Sequence, residues 1–153
     1  MKLSAKSMDS TTSQISQLIL DYKFNEAEEL IKSNFNEDDV LELLEQISKG
    51  KPGLLAYTFA AHLSEKHQNS FWHRIAASLA IQTLEEKSHA QNTSLYHILK
   101  AVELDPKDWE LKEQALSFYP ENLLPERYVK PFAEAVLRQD PTNELALGAV
   151  EMD

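Results

Sequence analysis

The sequence predicts an all-α protein, and three observations lead to that prediction. The chain of 153 residues contains only three glycines, which leaves few positions for hairpin turns or glycine-rich loops. No segment alternates apolar and polar residues with the two-residue period of a half-buried strand. Apolar residues recur instead at i, i+3, i+4 and i+7, first in Ile15, Leu18, Ile19 and Tyr22. This spacing places them along one face of a helix.

About nine helices follow from this periodicity and from the residues at helix ends. The first helix carries the stripe just described, and a short second helix, marked by Phe24, Ala27, Leu30 and Ile31, follows almost without a linker. Asn36 caps a third helix, because acidic residues follow it where the helix dipole favours negative charge. Lys49 and Gly50 end that helix, and a break at residues 51–53 precedes the fourth.

The remaining helices are separated by similar signals. Asn69 caps the fifth helix, and Pro106 and Pro125 stand at or near first-turn positions where a missing N–H costs nothing. Segments 54–63 and 71–84 are apolar on more than one face, so we expect neighbours on both sides of them. The predicted helices are 11–22, 24–33, 37–48, 53–66, 70–87, 91–103, 107–118, 125–138 and 142–151.

Two Asp-Pro pairs, at 105–106 and 140–141, indicate an internal repeat. They lie 35 residues apart, and each closes one helical stretch and opens another. A period near 34 with a proline at each turn is typical of stacked helix pairs, which form binding surfaces far more often than active sites. Connections of about 2–6 residues predict that neighbouring helices pack antiparallel. The fold predicted is an antiparallel helix-hairpin stack, an α-solenoid.

From about residue 94 onward the chain resembles a tetratricopeptide-repeat array. The matching small, large and proline positions are Ser94, Ile98, Ala101 and Pro106 in one unit, and Tyr119, Phe132 and Ala135 in the next, where Pro141 stands one residue late. Lys112 and Leu116 depart from the pattern, where that family prefers Trp and Gly. The resemblance implies a right-handed superhelical stack whose concave side holds a peptide or a partner helix. It brings no catalytic residue with it.

The length favours one domain over residues 1–153, and the composition favours a reducing compartment. A chain of this length can bury roughly two-thirds of its unfolded surface without staples. It contains no cysteine, which excludes disulfides and thiolate metal sites. The first residues lack the apolar run of a signal peptide, and no segment is apolar enough to span a membrane. We expect a soluble cytoplasmic protein, with flexible residues 1–9 and its weakest boundary near 50–53.

Charge argues against nucleic-acid binding. The formal net charge is −10, and a polyanion is attracted by clustered Lys and Arg. The middle third is less acidic, because residues 51–100 carry five basic and three acidic side chains and all five histidines. Acidic residues fill solvent faces at the two ends of a helical body, or they form a face that meets a basic partner.

The histidines and carboxylates do not form a recognisable catalytic or metal motif. His62, His73 and His97 could approach one another only through tertiary structure, since no two histidines are spaced i, i+4. Glu85 and His89 have the spacing of a helical pair. The carboxylate pair Glu28-Glu29 is predicted to lie on a solvated face. We expect no metal, no cofactor and no enzymatic activity.

The function predicted is a non-catalytic protein-interaction module that binds a peptide or partner protein. The alternative is a small acidic inhibitor of the immunity or antitoxin type, which neutralises a basic toxin or enzyme by charge complementarity. Trp109 is expected to face a partner, because its neighbours are charged. An apolar last helix allows a monomer or a homodimer. The candidate partner-binding residues are Tyr57, His62, His73, Arg74, Tyr96, His97 and Trp109.

Overall fold

The computed structural model describes residues 5–50 and 53–151. Within these residues all regular structure is helical, in nine α-helices and one short 3-10 helix, which confirms the predicted class and number of helices. The helices are α1 (Ala5–Leu20), α2 (Phe24–Asn34), α3 (Glu37–Ser48), α4 (Leu54–His67), α5 (Ser70–Thr83), α6 (Lys87–Leu104), α7 (Trp109–Leu116), the 3-10 helix (Tyr119–Glu121), α8 (Glu126–Gln139) and α9 (Glu144–Val150).

Helix boundaries differ from the prediction where a capping side chain was missed. Helix α5 ends at Thr83 because Leu84 is extended, and α6 begins at Lys87 because the Glu86 carboxylate accepts hydrogen bonds from two backbone N–H groups. Asn69 caps α5 as predicted, accepting from the Trp72 N–H at 3.2 Å. Asn36 occupies the N-cap position of α3, but its side chain makes no capping bond.

Helix α1 is longer than predicted at its start. Residues 5–9, predicted to be flexible, belong to this helix, while residues 1–4 lie outside the described part of the chain. Two residues after the end of α1, Tyr22 has a left-handed backbone conformation, with φ 61°. The Lys23 N–H donates to the Leu18 carbonyl at 2.8 Å and the Tyr22 N–H donates to the Ile19 carbonyl at 3.0 Å. This pattern is a Schellman cap with tyrosine at the position that usually holds glycine.

The buried apolar residues form two clusters that meet at α5. The first cluster joins α1 to α5, and the second extends from α5 to α9. Trp72 and Leu79 of α5 belong to the first cluster and Ala77 belongs to the second. Helix α5 packs against α3, α4 and α6, as expected for a helix that is apolar on more than one face. It is therefore the structural link between the two halves.

The two Asp-Pro turns have the same backbone geometry. Asp105 and Asp140 end their helices with φ, ψ of −139°, 75° and −136°, 84°. Each donates its N–H four residues back, to Ala101 at 2.9 Å and to Val136 at 2.8 Å. Asp108 and Asn143 then cap the following helices through their side chains. The sequence repeat therefore corresponds to a repeated turn.

Helices also contact their second neighbours. Besides most consecutive pairs, α1 packs against α3 and α4, α3 against α5, and α7 against α9. Residues 51–52, inside the predicted weak boundary, lie outside the described residues, but α3 and α4 on either side of it contact each other. No helix in the described part of the chain is both long enough and apolar enough to cross a membrane.

Candidate functional site: the cleft between α4 and α6

Three of the predicted residues form one buried hydrogen-bonded chain. The Tyr57 hydroxyl of α4 lies 3.0 Å from Nε2 of His97 on α6, and Nδ1 of His97 lies 2.9 Å from Nδ1 of His73 on α5. His73 is 4% exposed and His97 is 3% exposed. We refer to these three residues as the Tyr-His-His chain. It connects the three central helices in the part of the molecule where the two apolar clusters meet.

Burial keeps both histidines neutral. Burial, with a smaller contribution from the neighbouring His73, lowers the pKa of His97 to about 4. Burial also lowers the pKa of His73, against the opposing effect of the Glu65 carboxylate. Burial raises the pKa of the Tyr57 hydroxyl, so it stays protonated. The Tyr-His-His chain is therefore uncharged near neutral pH.

In the neutral Tyr-His-His chain, the hydrogen bonds can run in either of two directions. Each neutral imidazole carries one N–H and one free lone pair, so Tyr57 can donate to His97, which then donates to His73. In the reverse arrangement His73 donates to His97, and His97 donates to the Tyr57 oxygen. The remaining nitrogen of His73 is Nε2, which carries its hydrogen in the first arrangement and a lone pair in the second.

His73 also forms part of the wall of a surface cleft of about 250 Å³, which we call the α4–α6 cleft. One face of α6 supplies Tyr96, Lys100 and Leu104 at successive four-residue spacings, and Tyr96 and Leu104 are 47% and 44% exposed. The Lys100 ammonium lies 5.9 Å from the centre of the Tyr96 ring and 3.5 Å from the Glu103 carboxylate. The lining residues are Ser64, Glu65, Gln68, His73, Tyr96, Lys100, Glu103 and Leu104.

The other three predicted residues lie elsewhere. His62 is exposed, with its ring centre 5.3 Å from that of Phe24. Arg74 approaches Asp108 at 3.7 Å, in a pair exposed enough to contribute little. Trp109 is half-buried and packs against the second apolar cluster. Sequence periodicity does not show which helix faces share a surface, so these residues could not be separated from the four that converge.

Of the three histidines that tertiary structure was expected to bring together, two are in contact and one lies elsewhere. His73 and His97 contact each other, whereas His62 packs against Phe24. Among residues 5–50 and 53–151, no group of three or more His, Asp or Glu side chains has the arrangement of a metal site. The two nitrogens that meet at 2.9 Å are already engaged with each other.

A second buried polar site was missed by sequence reasoning. Glu28 of α2, predicted to be solvated, is 1% exposed and accepts hydrogen bonds from Lys66 at 2.9 Å and from His67, both at the end of α4. Lys32 completes the site at 3.3 Å. Burial alone raises the pKa of Glu28, but the hydrogen bonds from Lys66, His67 and Lys32 outweigh it and hold the pKa below its usual range.

The sequence contained a signal for this burial. Phe24, Ala27, Glu28 and Ile31 follow the i, i+3, i+4, i+7 spacing of a buried helix face. A carboxylate within such a stripe indicates a partnered buried charge.

One predicted pair is also corrected by the structure. His89 lies 3.4 Å from Glu86. It does not pair with Glu85, because α6 begins at Lys87 and Glu85 lies outside the helix.

A larger groove of about 700 Å³ lies near the C-terminal end of the described chain. None of the seven predicted residues lines it. Its lining residues come from the 3-10 helix, the loop that follows it, α8 and α9, and are Tyr119, Asn122, Leu124, Pro125, Glu126, Val129, Lys130 and Ala149. The comparisons with known proteins bring no further residue into consideration: no family model matches the chain, and neither curated protein sequences nor solved structures give a significant match.

Proposed function

We propose that the chain is a non-catalytic interaction module that binds a peptide or a segment of a partner protein in the α4–α6 cleft. The observation that carries this proposal is the cleft itself: Tyr96 and His73 form part of its wall, and His73 is held in place there through His97 and Tyr57. Tyr96 and Leu104 offer exposed apolar surface, and Glu65, Lys100 and Glu103 offer charge beside it. An apolar contact next to polar groups is the composition that protein-binding surfaces use.

The packing of the helices supports an extended helical repeat. Contacts between second neighbours, such as α1 with α3, are what stacked helix pairs require, and the matched turns at Asp105 and Asp140 repeat the same connection. We propose the antiparallel solenoid arrangement, tetratricopeptide-like in its C-terminal half, on these grounds. The absence of cysteine suits a cytoplasmic module.

The test compares two exposed leucines of similar accessibility. Leu104, at the cleft, is 44% exposed, and Leu147, on α9, is 40% exposed. A partner is first identified by affinity capture with the unaltered chain from the source cell, and its Kd is then measured by calorimetry. We expect Leu104→Ala and Tyr96→Ala each to weaken binding about tenfold, and Leu147→Ala to leave it unchanged.

The same titration separates the two kinds of partner. Equal affinity of all three variants and the unaltered chain would place the binding surface elsewhere and contradict the proposal. Weak dependence on salt, with loss of affinity on removal of the Tyr96 ring, supports a peptide in the cleft. A steep loss of affinity with added salt would favour the acidic inhibitor of a basic toxin.

A further inference from the structure

The geometry of the Tyr-His-His chain limits how many protons it can hold. Only one hydrogen fits between the two Nδ1 atoms at 2.9 Å, so one histidine must donate and the other must accept. His73 also lines the α4–α6 cleft, and its Nε2 takes no part in the bond to His97. In the second arrangement Nε2 of His73 has a free lone pair, so an incoming proton has a place there.

A first proton leaves every hydrogen bond of the chain intact. His73 then donates from Nδ1 to His97, and His97 donates from Nε2 to the Tyr57 oxygen. A second proton has no position to occupy, since Nδ1 of His97 already accepts a bond and its Nε2 already carries a hydrogen. Adding it would also place two positive charges in contact inside the protein, where the energetic cost is high.

We propose that the Tyr-His-His chain is an acid-sensitive latch between α5 and α6, which takes up one proton from the cleft and opens on a second. Opening separates these helices beside the cleft, and α5 belongs to both apolar clusters. The two halves of the molecule then become less firmly connected. This proposal rests on the geometry of the Tyr-His-His chain and does not depend on the proposed function.

The surrounding charges act mainly on the first proton. Glu65 of α4 and Glu103 of α6 favour a charged His73, and Lys100 of α6 opposes it. In the described part of the chain, His73 is the one charged neighbour that shifts the pKa of His97. The His97 ring lies against the rings of Tyr57 and Tyr96. Within the described residues, α3 and α7, which also pack on these helices, supply no hydrogen bond or ring contact to either histidine.

Amide hydrogen exchange, corrected for the intrinsic effect of pH, tests the latch directly. Between pH 7.5 and 5 we expect the opening constant of amides in α5 and α6 to rise about thirty-fold, since neutral His97 is favoured only in the closed form. Amides of α2 that exchange by local opening, and not by global unfolding, should not follow this rise. The same rise in those amides, or no rise in α5 and α6, would overturn the proposal.

Two matched variants on one helix assign the effect to the buried histidine. His97→Gln keeps a hydrogen-bonding side chain without a titrating imidazole and should remove most of the rise, leaving the part that His73 contributes. His89→Gln, at a side chain that is 76% exposed, should retain it. A rise of undiminished size in the His97→Gln protein would contradict the latch.

A measurement on the unaltered chain does not depend on how that variant folds. Ring carbon and nitrogen shifts in an NMR titration report each histidine separately. We expect His73 to titrate first while His97 remains neutral to below pH 5. Titration of His97 at its ordinary pKa, with α5 and α6 still fully protected from exchange, would also overturn the proposal.

Discussion

The two buried polar sites of this protein differ in the charge that they hold. Glu28 is ionised and stabilised by three basic side chains from α2 and α4. His73 and His97 are neutral and bond to each other and to Tyr57. Both sites connect neighbouring helices, yet one compensates a buried charge with opposite charges and the other avoids charge altogether. They should therefore respond differently to acid and to substitution.

The largest expected difference is in the dependence of stability on pH. The unfolded chain binds a proton at His97 near pH 6.5 and the folded chain only near 4, so the free energy of unfolding falls as the pH drops through this window. The loss reaches about 3 kcal/mol for His97, and His73 acts in the same direction. Urea unfolding at a series of pH values measures it.

Substitutions at the two sites should flatten different parts of that profile. Glu28 has a lowered pKa, so its contribution is present above pH 4.5 and is lost as the pH falls below that value. His97→Gln should flatten the profile between pH 6.5 and 4, and Glu28→Gln only its most acidic part. Parallel profiles for His97→Gln and the unaltered chain would show that the histidine pair does not control acid stability.

Removal of the buried carboxylate should produce the next largest effect. Glu28→Ala removes the carboxylate that three basic groups share, but Lys66 still donates to Asn25, and Lys66 and Lys32 are 40% and 57% exposed and can be hydrated again. We expect a loss of about 2 kcal/mol in urea unfolding at pH 7. The control is Glu29→Ala at the exposed neighbouring position, which should change stability by less than about 0.5 kcal/mol. Equal effects at the two positions would contradict the assignment.

The smallest expected loss of stability is at the Tyr-His-His chain at neutral pH. Tyr57→Phe removes only the hydroxyl that bonds His97, so one buried ring nitrogen loses its partner. We expect a loss of about 1 kcal/mol in the free energy of unfolding. Tyr22→Phe is the control, since that side chain is 67% exposed, and it should leave stability unchanged. A neutral result for Tyr57→Phe would mean that the hydrogen bond contributes nothing to stability.

The residue types in the middle of the chain predicted part of the candidate site, but not its assembly. Of the residues expected to face a common surface, His73 and Tyr96 line the cleft, while Tyr57 and His97 belong to the hydrogen-bonded chain that ends at His73. His62, Arg74 and Trp109 were expected there on the same grounds and lie elsewhere. Whether a helical side chain faces the cleft depends on the rotation and neighbours of its helix, which residue spacing alone does not define.

By itself, the sequence determined the helical class, the number of helices and most of their ends. Apolar spacing, capping residues such as Asn69 and the two Asp-Pro turns act over a few residues, so their effects are local. Only the tertiary structure decided which polar groups are buried. His73 and His97 lie 24 residues apart, Tyr57 and His97 lie 40 apart, and Glu28 and Lys66 lie 38 apart. Such partners meet only when separate helices pack, because no local periodicity relates them.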